Sequence, residues 1–263
     1  MKIGVFGNNK IQTDLLERFA YLLKSNGFDG KICAWENDLD GLDALVVFGG
    51  DGTILHIAGA AARRGVMLIG VNHGRLGFLT EYERGEEELV VDLLRDLEKG
   101  CCEILERSFL EISYRGETYF ALNEISVQRD YSDPDSQIMQ TRVEVNGRQC
   151  ISFLGDGILF STPTGSTAYS LSAGGAILSP ETPVFMLTPI CSFSLNARAI
   201  VLPDTDEAVL SVARSRSAVL VDGKVVGNLK DGETIRLKKA AFTAKFPLRG
   251  ESGFFDKVCK KLK

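Results

Sequence analysis

The chain has two histidines, one tryptophan and no Cys-x-x-Cys pair. Its six cysteines, Cys33, Cys101, Cys102, Cys150, Cys191 and Cys259, are scattered, with Cys101 and Cys102 adjacent. That distribution suits neither a thiolate zinc site nor a disulfide framework, and a reducing cytoplasm is the simplest home for it. Neither His56 nor His73 has a second histidine or a carboxylate at ligand spacing, so no protein-built metal site is expected. No stretch reaches the ~20 apolar residues of a membrane helix. Met1 runs directly into the strand-like Lys2-Ile3-Gly4-Val5-Phe6 without an apolar leader, so an uncleaved, soluble protein with no membrane partner is expected. The formal net charge is −5, and no run of lysine or arginine occurs before the short Lys257–Lys263 tail. A broad phosphate-backbone footprint is therefore absent, and nucleic acid is not an expected partner. Three chemical motifs are missing as well. There is no Gly-x-x-x-x-Gly-Lys-Ser/Thr, no strand followed by Gly-x-Gly-x-x-Gly, and no Gly-x-Ser-x-Gly elbow, which excludes the P-loop class and disfavours the usual oxidoreductases and serine hydrolases.

What is present is a long chain, 263 residues and 44% hydrophobic, enough for one large or two modest domains with proper cores. Up to about residue 98 the pattern alternates. A strand at Lys2–Gly7 leads to a helical stretch at Ile11–Ser25, with further strands expected at Lys31–Trp35, Ala44–Phe48 and Val66–Val71. Helices are expected after the third strand and near Glu86–Leu97. The unbroken apolar run Ala44-Leu45-Val46-Val47-Phe48 is what a strand covered on both faces requires, as in a parallel sheet. From about Ile104 short alternating strands take over, punctuated by Arg115-Gly116, Asn146-Gly147, Asp222-Gly223 and Asp231-Gly232, several of them good hairpin turns. One helical interruption is expected near Ala168–Ala173. The expected organisation is thus a doubly wound, mostly parallel α/β domain over residues 1–100 and a mostly-β domain over 101–250. A basic amphipathic segment over 251–263 is expected to pack back on the first domain.

Three constellations stand out. Gly49-Gly50-Asp51-Gly52-Thr53 follows the apolar strand and precedes a helical pattern. At such a junction of an open α/β sheet, glycines let backbone approach a phosphate and the helix start offers free N–H groups. Asp51 is the odd element, because it would repel phosphate; capping the helix and accepting a proton are both open for it. The second is the run Gly155 to Gly175, where a short strand empties into Ser161-Thr162-Pro163-Thr164-Gly165-Ser166-Thr167-Ala168-Tyr169-Ser170-Leu171-Ser172. Neutral hydroxyls and bare amides can bind riboses and phosphates without importing charge, and their density here favours a ligand over a merely capped turn. The third is Asn123-Glu124, two polar side chains in a β pattern, which read in isolation suit an edge strand.

Together these residues resemble the NAD kinase family. The resemblance covers Gly49–Thr53, Gly70–Thr80, Asn123-Glu124 and Gly155–Gly175, about half of the chain. Gly-Gly-Asp-Gly-Thr by itself is shared with diacylglycerol and sphingosine kinases, whereas Ser-Thr-Pro-Thr-Gly-Ser-Thr-Ala-Tyr-Ser is far more specific. The resemblance implies an α/β domain and an all-β domain with NAD in the cleft between them. It implies transfer of the γ-phosphate of ATP to the adenosine 2′-hydroxyl of NAD, giving NADP and ADP, with Asp51 as general base. Gly49, Gly50, Gly52 and Thr53 would face phosphate. Asp51, Gly52, His56, Phe78, Asn123, Glu124, Asp156, Thr167, Ala168, Tyr169, Ser170, Leu171 and Ser172 would form the dinucleotide site. Mg²⁺ would accompany ATP without a dedicated protein cage, and relatives imply a homodimer or homotetramer. Leu154 departs from the basic residue that several relatives carry two positions before Asp156. Two rivals remain: a lipid or sugar kinase of the same superfamily, which the acidic composition does not support, and a non-catalytic nucleotide sensor, against which an intact Asp51 counts.

Overall fold

The computed structural model describes residues 1–8, 11–74, 77–132, 137–248, 250 and 253–261. The chain divides into two compact units, one made of Met1–Arg107 and Phe242–Lys263, the other of Ser108–Ala241.

In the first unit, strands β1 (Lys2–Gly7), β2 (Asp29–Ile32), β3 (Ala44–Gly49), β4 (Met67–Asn72) and β5 (Tyr82–Glu83) alternate with helices α1 (Thr13–Ser25), α2 (Asp51–Arg63) and α3 (Glu87–Glu98). The strands form a parallel sheet in the order β2-β1-β3-β4-β5. All six residues of β3 are buried, and their alternation shows how. Ala44, Val46 and Phe48 join one core with Leu16, Phe19 and Leu23 of α1 and Val90, Val91 and Leu94 of α3. Leu45 and Val47 point to the opposite face, the side of α2, whose Ile54, Ile57, Ala58 and Ala61 are equally buried. Each large side chain so enclosed contributes about 1.5–3 kcal/mol relative to exposure. Helix α2 stops at Arg63 because Gly65 takes φ 71°, a left-handed conformation that releases the chain into β4.

Strand β2 lies earlier than the expected Lys31–Trp35. The amides of Ala34 and Trp35 donate to the Asp38 carboxylate at 2.8 and 3.0 Å, which turns the chain into a 3-10 turn at Glu36–Leu39 and leaves Trp35 exposed.

The antiparallel part comprises β6 (Glu103–Tyr114), β7 (Glu117–Ala121), β8 (Glu124–Arg129), β9 (Met139–Val145), β10 (Arg148–Gly155), β11 (Gly157–Ser161), β12 (Val184–Ile190), β13 (Ile200–Pro203), β14 (Ala208–Ala213), β15 (Ser217–Val221), β16 (Lys224–Leu229) and β17 (Thr234–Leu248). Helix α4 (Tyr169–Ser172) interrupts it, and α5 (Phe254–Lys261) closes the chain. Two six-stranded sheets result, ordered β10-β9-β14-β17-β6-β7 and β13-β12-β11-β8-β15-β16. Ile112, Val143, Leu210 and Ile235 of the first and Ile125, Ile158, Leu187 and Val219 of the second share one core.

Arg115-Gly116, Asn146-Gly147 and Asp222-Gly223 are two-residue hairpin turns with both φ angles positive, as their composition requires. Asp231-Gly232 is different: it carries the chain from β16 in one sheet to β17 in the other, so no hairpin forms there.

Candidate active site

The sheet order of the first unit reverses between β1 and β3, so the carboxyl ends of these two strands flank the point where open α/β sheets bind ligands. Asn8, just past β1, donates from Nδ2 to Thr53 Oγ1 at 2.8 Å and ties the two strand ends together. Sequence reasoning missed Asn8; its place directly after the first strand was the available signal.

Directly after Val47 and Phe48, the last buried apolar pair of β3, the glycines have separable reasons to be glycine. A Cβ on Gly49 would stand 2.3 Å from Thr53 Oγ1, so the packing of the turn excludes one. Gly50 and Gly52 meet nothing within 4 Å and neither takes a positive φ, so the fold itself does not demand glycine at either. Their missing side chains leave space at the start of α2. There the amides of Asp51 and Gly52, the first two helical residues, donate to no group among the described residues. Thr53 is buried, with its hydroxyl taken by Asn8.

Asp51 makes no side-chain cap on its helix. Its carboxylate accepts instead from the amides of Phe78 (2.8 Å to Oδ2) and Leu79 (2.9 Å to Oδ1), 27 and 28 residues away. Gly77 permits this approach, since a Cβ there would come within 2.1 Å of Asp51 Oδ1. The same segment is fastened to the sheet. His73 N–H donates to the Gly49 carbonyl at 3.2 Å, the Asn72 carboxamide donates to Glu83 at 2.9 Å, and Gly74 N–H donates back to Asn72 at 3.0 Å. The His73 ring lies 5.5 Å from that of Phe48, and burial, with Arg84 adding to it, lowers its pKa. His56 is exposed on α2.

Phe78, expected to line a dinucleotide pocket, is 9% exposed: the Phe254 ring lies 6.2 Å from it and the Lys261 ammonium 4.0 Å over its face. Helix α5 is fixed there by Lys257, whose ammonium donates to the Thr80 carbonyl at 2.8 Å and pairs with Glu81 at 2.6 Å. Arg107 is buried in the same unit with its guanidinium 5.3 Å from the Phe246 ring; burial brings its pKa down to about 10, while Glu81 and Asp51 favour its charge. A groove of about 740 Å³ along α1, lined by Arg18, Tyr21, Leu22 and Arg84 among others, shares no residue with the Asp51 turn.

In the second unit, Glu124 opens β8 with Asn123 just before it, and both are held by the β15–β16 turn. The Asp222 carboxylate accepts from the amides of Leu122 (2.9 Å), Asn123 (2.8 Å) and Glu124 (3.1 Å). From the other side Thr162 donates its hydroxyl to the Leu122 carbonyl at 2.6 Å and its amide to the Asn123 carbonyl at 2.9 Å. Gly165 must be glycine, because a Cβ would stand 2.0 Å from that same carbonyl oxygen. So clamped, the Asn123 carboxamide has no hydrogen bond among the described residues and remains available. Glu124 is 8% exposed, and its Oε2 has no hydrogen-bond partner among the described residues. Burial, reinforced by Asp222, raises its carboxyl pKa to about 7, against a smaller opposing effect of the Tyr169 amide. Sequence reasoning left Asp222 unassigned; a carboxylate at the first position of an Asp-Gly hairpin turn is common enough to carry no message by itself.

The hydroxyl-rich segment divides its labour. Thr162, Ser166 and Ser170 face inward: Ser166 Oγ donates to the Pro163 carbonyl at 2.6 Å and accepts from Leu178 N–H at 3.0 Å, and Ser170 Oγ lies 2.9 Å from Thr188 Oγ1. Thr167, Ala168 and Leu171 are half-buried, while Tyr169 and Ser172 are exposed. Burial raises the Tyr169 phenol pKa, with Cys191, Asp156 and Glu124 adding to it, which places Tyr169 among those groups. Asp156 lies 3.8 Å from the Arg129 guanidinium.

Comparison with known proteins puts a chemistry to this arrangement. Residues 34–101 match a model of the ATP-NAD kinase N-terminal domain, and residues 122–247 match that of the ATP-NAD kinase C-terminal domain. The chain is 38% identical over 231 residues to an NAD kinase of Heliobacterium modesticaldum, covering 84% of this chain and 78% of that protein. It is 31% identical over 268 residues to an NAD kinase of Caldicellulosiruptor saccharolyticus, covering 100% of both. Among solved structures, an NAD kinase from Archaeoglobus fulgidus in complex with ATP is 27% identical, with a TM-score of 0.81 over 98% of this chain and 99% of that one. Yeast NADH kinase complexed with NADH shares the fold at 24% identity, with a TM-score of 0.88 over 100% and 87% of the two chains.

Proposed function

Because the chain belongs to the NAD kinase family and phosphorylates NAD with ATP, we propose that Asp51 is the general base of that reaction. The observation that carries the assignment is the orientation of the Asp51 carboxylate, which leaves its own helix uncapped and is held by the Phe78 and Leu79 amides beside glycines that open onto free space. An ionised carboxylate has about four lone-pair positions, and two amides occupy two of them, so a substrate hydroxyl finds an acceptor already oriented. A carboxylate is far too weak a base to ionise a free hydroxyl beforehand. The proton therefore leaves as the adenosine 2′-oxygen bonds to the γ-phosphorus, while the bond from that phosphorus to the ADP oxygen breaks.

The remaining roles follow from the same reading. The uncommitted amides of Asp51 and Gly52, with Gly49, Gly50 and Thr53 shaping the turn, face phosphate. Phe78 and His56 in the first unit, and Asn123, Glu124, Asp156 and Thr167–Ser172 in the second, bind the dinucleotide; Ser170 does so through the backbone it steadies, since its side chain is buried against Thr188. No group of three or more acidic, histidine or cysteine side chains suited to a metal occurs among the described residues. Mg²⁺ would be held by the ATP phosphates and water, where it would supply charge neutralisation. No described helix is long and apolar enough to cross a membrane, and six free cysteines suit the cytoplasm. A homodimer or homotetramer belongs to this reading too; Phe193 and Leu195, 80% and 84% exposed, are apolar groups that association would cover.

The test is Asp51→Asn. The variant is expected to bind NAD while forming NADP slower by about two orders of magnitude or more; an unchanged rate overturns the assignment.

A further inference from the structure

The Asp51 turn offers amides to a phosphate and, in Asp51 itself, a negative charge that repels one. A phosphoryl-transfer site needs cationic help against that repulsion. Among the described residues of the first unit, three cations lie close to the segment that holds Asp51 or feel its charge, and two of them are committed. Lys257 is paired with Glu81 at 2.6 Å and bonded to the Thr80 carbonyl. Arg107 is buried beside Phe246. The third is Lys261.

Lys261 lies one helical turn beyond Lys257 on α5, so the two ammonium groups share a face and repel each other, an arrangement that costs stability unless anions answer both. Glu81 answers Lys257. Among the described residues no carboxylate lies within 4 Å of Lys261; its ammonium rests 4.0 Å over the Phe78 ring, whose own amide holds Asp51. The helix does not leave this position to chance, because Phe254 packs on Phe78 and Lys257 is fastened two ways. Partial burial lowers the Lys261 pKa, the Asp51 charge opposes that lowering and the Lys257 charge adds to it. A half-buried ammonium over the ring whose amide holds Asp51, close enough to feel that charge yet paired with no carboxylate among the described residues, is placed for an anion that arrives from outside.

We propose that Lys261 contacts phosphate oxygens of a bound nucleotide at the Asp51 turn and balances their charge during transfer. The inference rests on the kinase reading of that turn. The phosphate belongs either to the ATP donor or to the diphosphate of NAD, and kinetics separate the two. Phe78 serves as the platform that keeps the cation extended, in the manner of a cation over an aromatic face.

The experiment compares Lys261→Met, Lys261→Arg and, as a control on the exposed side of the same helix, Lys260→Met, by initial-rate kinetics with ATP and NAD varied separately. Binding of inorganic tripolyphosphate is measured by calorimetry in parallel. Removing a charge-assisted phosphate contact is expected to lower kcat/KM about 10- to 100-fold in Lys261→Met, with partial recovery in Lys261→Arg and wild-type behaviour in Lys260→Met. A loss expressed in kcat/KM for ATP, together with weakened tripolyphosphate binding, assigns the contact to the donor; a loss confined to NAD assigns it to the acceptor diphosphate. Kinetics and tripolyphosphate binding both unchanged, in a variant with an unchanged melting temperature, overturn the proposal. So does a loss that Lys260→Met reproduces. The base assignment fails separately, through an active Asp51→Asn, so the two failures are distinguishable.

Discussion

Gly52→Ala separates what the fold asks of the glycine turn from what the ligand asks. Gly52 is the second residue of α2, its φ is not positive, and a Cβ there meets nothing within 4 Å. Alanine therefore fits the backbone without strain and improves the helix, by about 0.5–1 kcal/mol from lower chain entropy and better propensity. For a domain of roughly 100–150 residues that raises the melting temperature by about 2–6 °C. The added methyl would nonetheless stand at the mouth of the helix, where the amides of Asp51 and Gly52 are uncommitted. A displacement of about 1 Å between reacting groups costs on the order of 100-fold, so kcat/KM is expected to fall at least that far. Calorimetry on the variant and coupled detection of NADP give the two readings on one preparation. A variant both more stable and nearly inactive is the expected result. A variant that keeps wild-type kcat/KM would show that nothing approaches Gly52, and one that melts lower would show that the space around its Cβ is not open.

Three further outcomes are expected. In Gly165→Ala the new methyl would meet the Asn123 carbonyl oxygen at 2.0 Å, against backbone held by Thr162 and Asp222; a loss of about 1–3 kcal/mol or more is expected, read by urea unfolding, and a melting temperature equal to wild type would contradict it. Glu124 has a folded-state pKa of about 7, above its ordinary range, so the folded protein holds that proton more tightly than the unfolded chain. Its contribution is complete below about pH 4.5 and is lost as pH rises through about 7, amounting to about 3 kcal/mol in all. Glu124→Gln should remove that part of the slope of melting temperature against pH, and a wild-type slope in the variant would refute the link. Lys261→Met should lose nucleotide-phosphate affinity without losing the fold, as set out above for α5.

The sequence carried the α/β half because periodicity is a local signal. The run Ala44–Phe48 can only be a strand covered on both faces, and the structure covers it with α1 and α3 on one side and α2 on the other. The three hairpin turns were legible for the same reason: Arg-Gly, Asn-Gly and Asp-Gly dipeptides specify positive φ angles locally. Where a distant partner decides, the pattern was silent. Asp231-Gly232 has hairpin composition, yet its flanking strands belong to different sheets. Strand β2 ends early because Asp38 captures two amides, which composition does not announce.

The site shows the same division more sharply. Whether Asp51 capped its helix or faced a substrate could not be settled locally, since its partners are amides 27 and 28 residues on. The hydroxyl density of Ser161–Ser172 favoured a ligand over a capped turn, yet Thr162, Ser166 and Ser170 spend their hydroxyls on holding the loop. What that loop holds in place is Asn123 and Glu124, with Asp222 completing the clamp from a hairpin turn about 100 residues away. Neither Asp222 nor the lysines of α5 carry a motif, and only the folded chain brings them to their partners.

The central claim, that Asp51 takes the proton in the transfer step, is tested most directly by a rapid-quench single turnover. Enzyme in excess over radiolabelled ATP, with saturating NAD and Mg²⁺, would be compared between wild type and Asp51→Asn, with NAD affinity measured on both by calorimetry. The account predicts NAD binding within a fewfold of wild type and a chemical step slower by about 100-fold or more. A chemical step of wild-type rate in a folded, NAD-binding Asp51→Asn would contradict it.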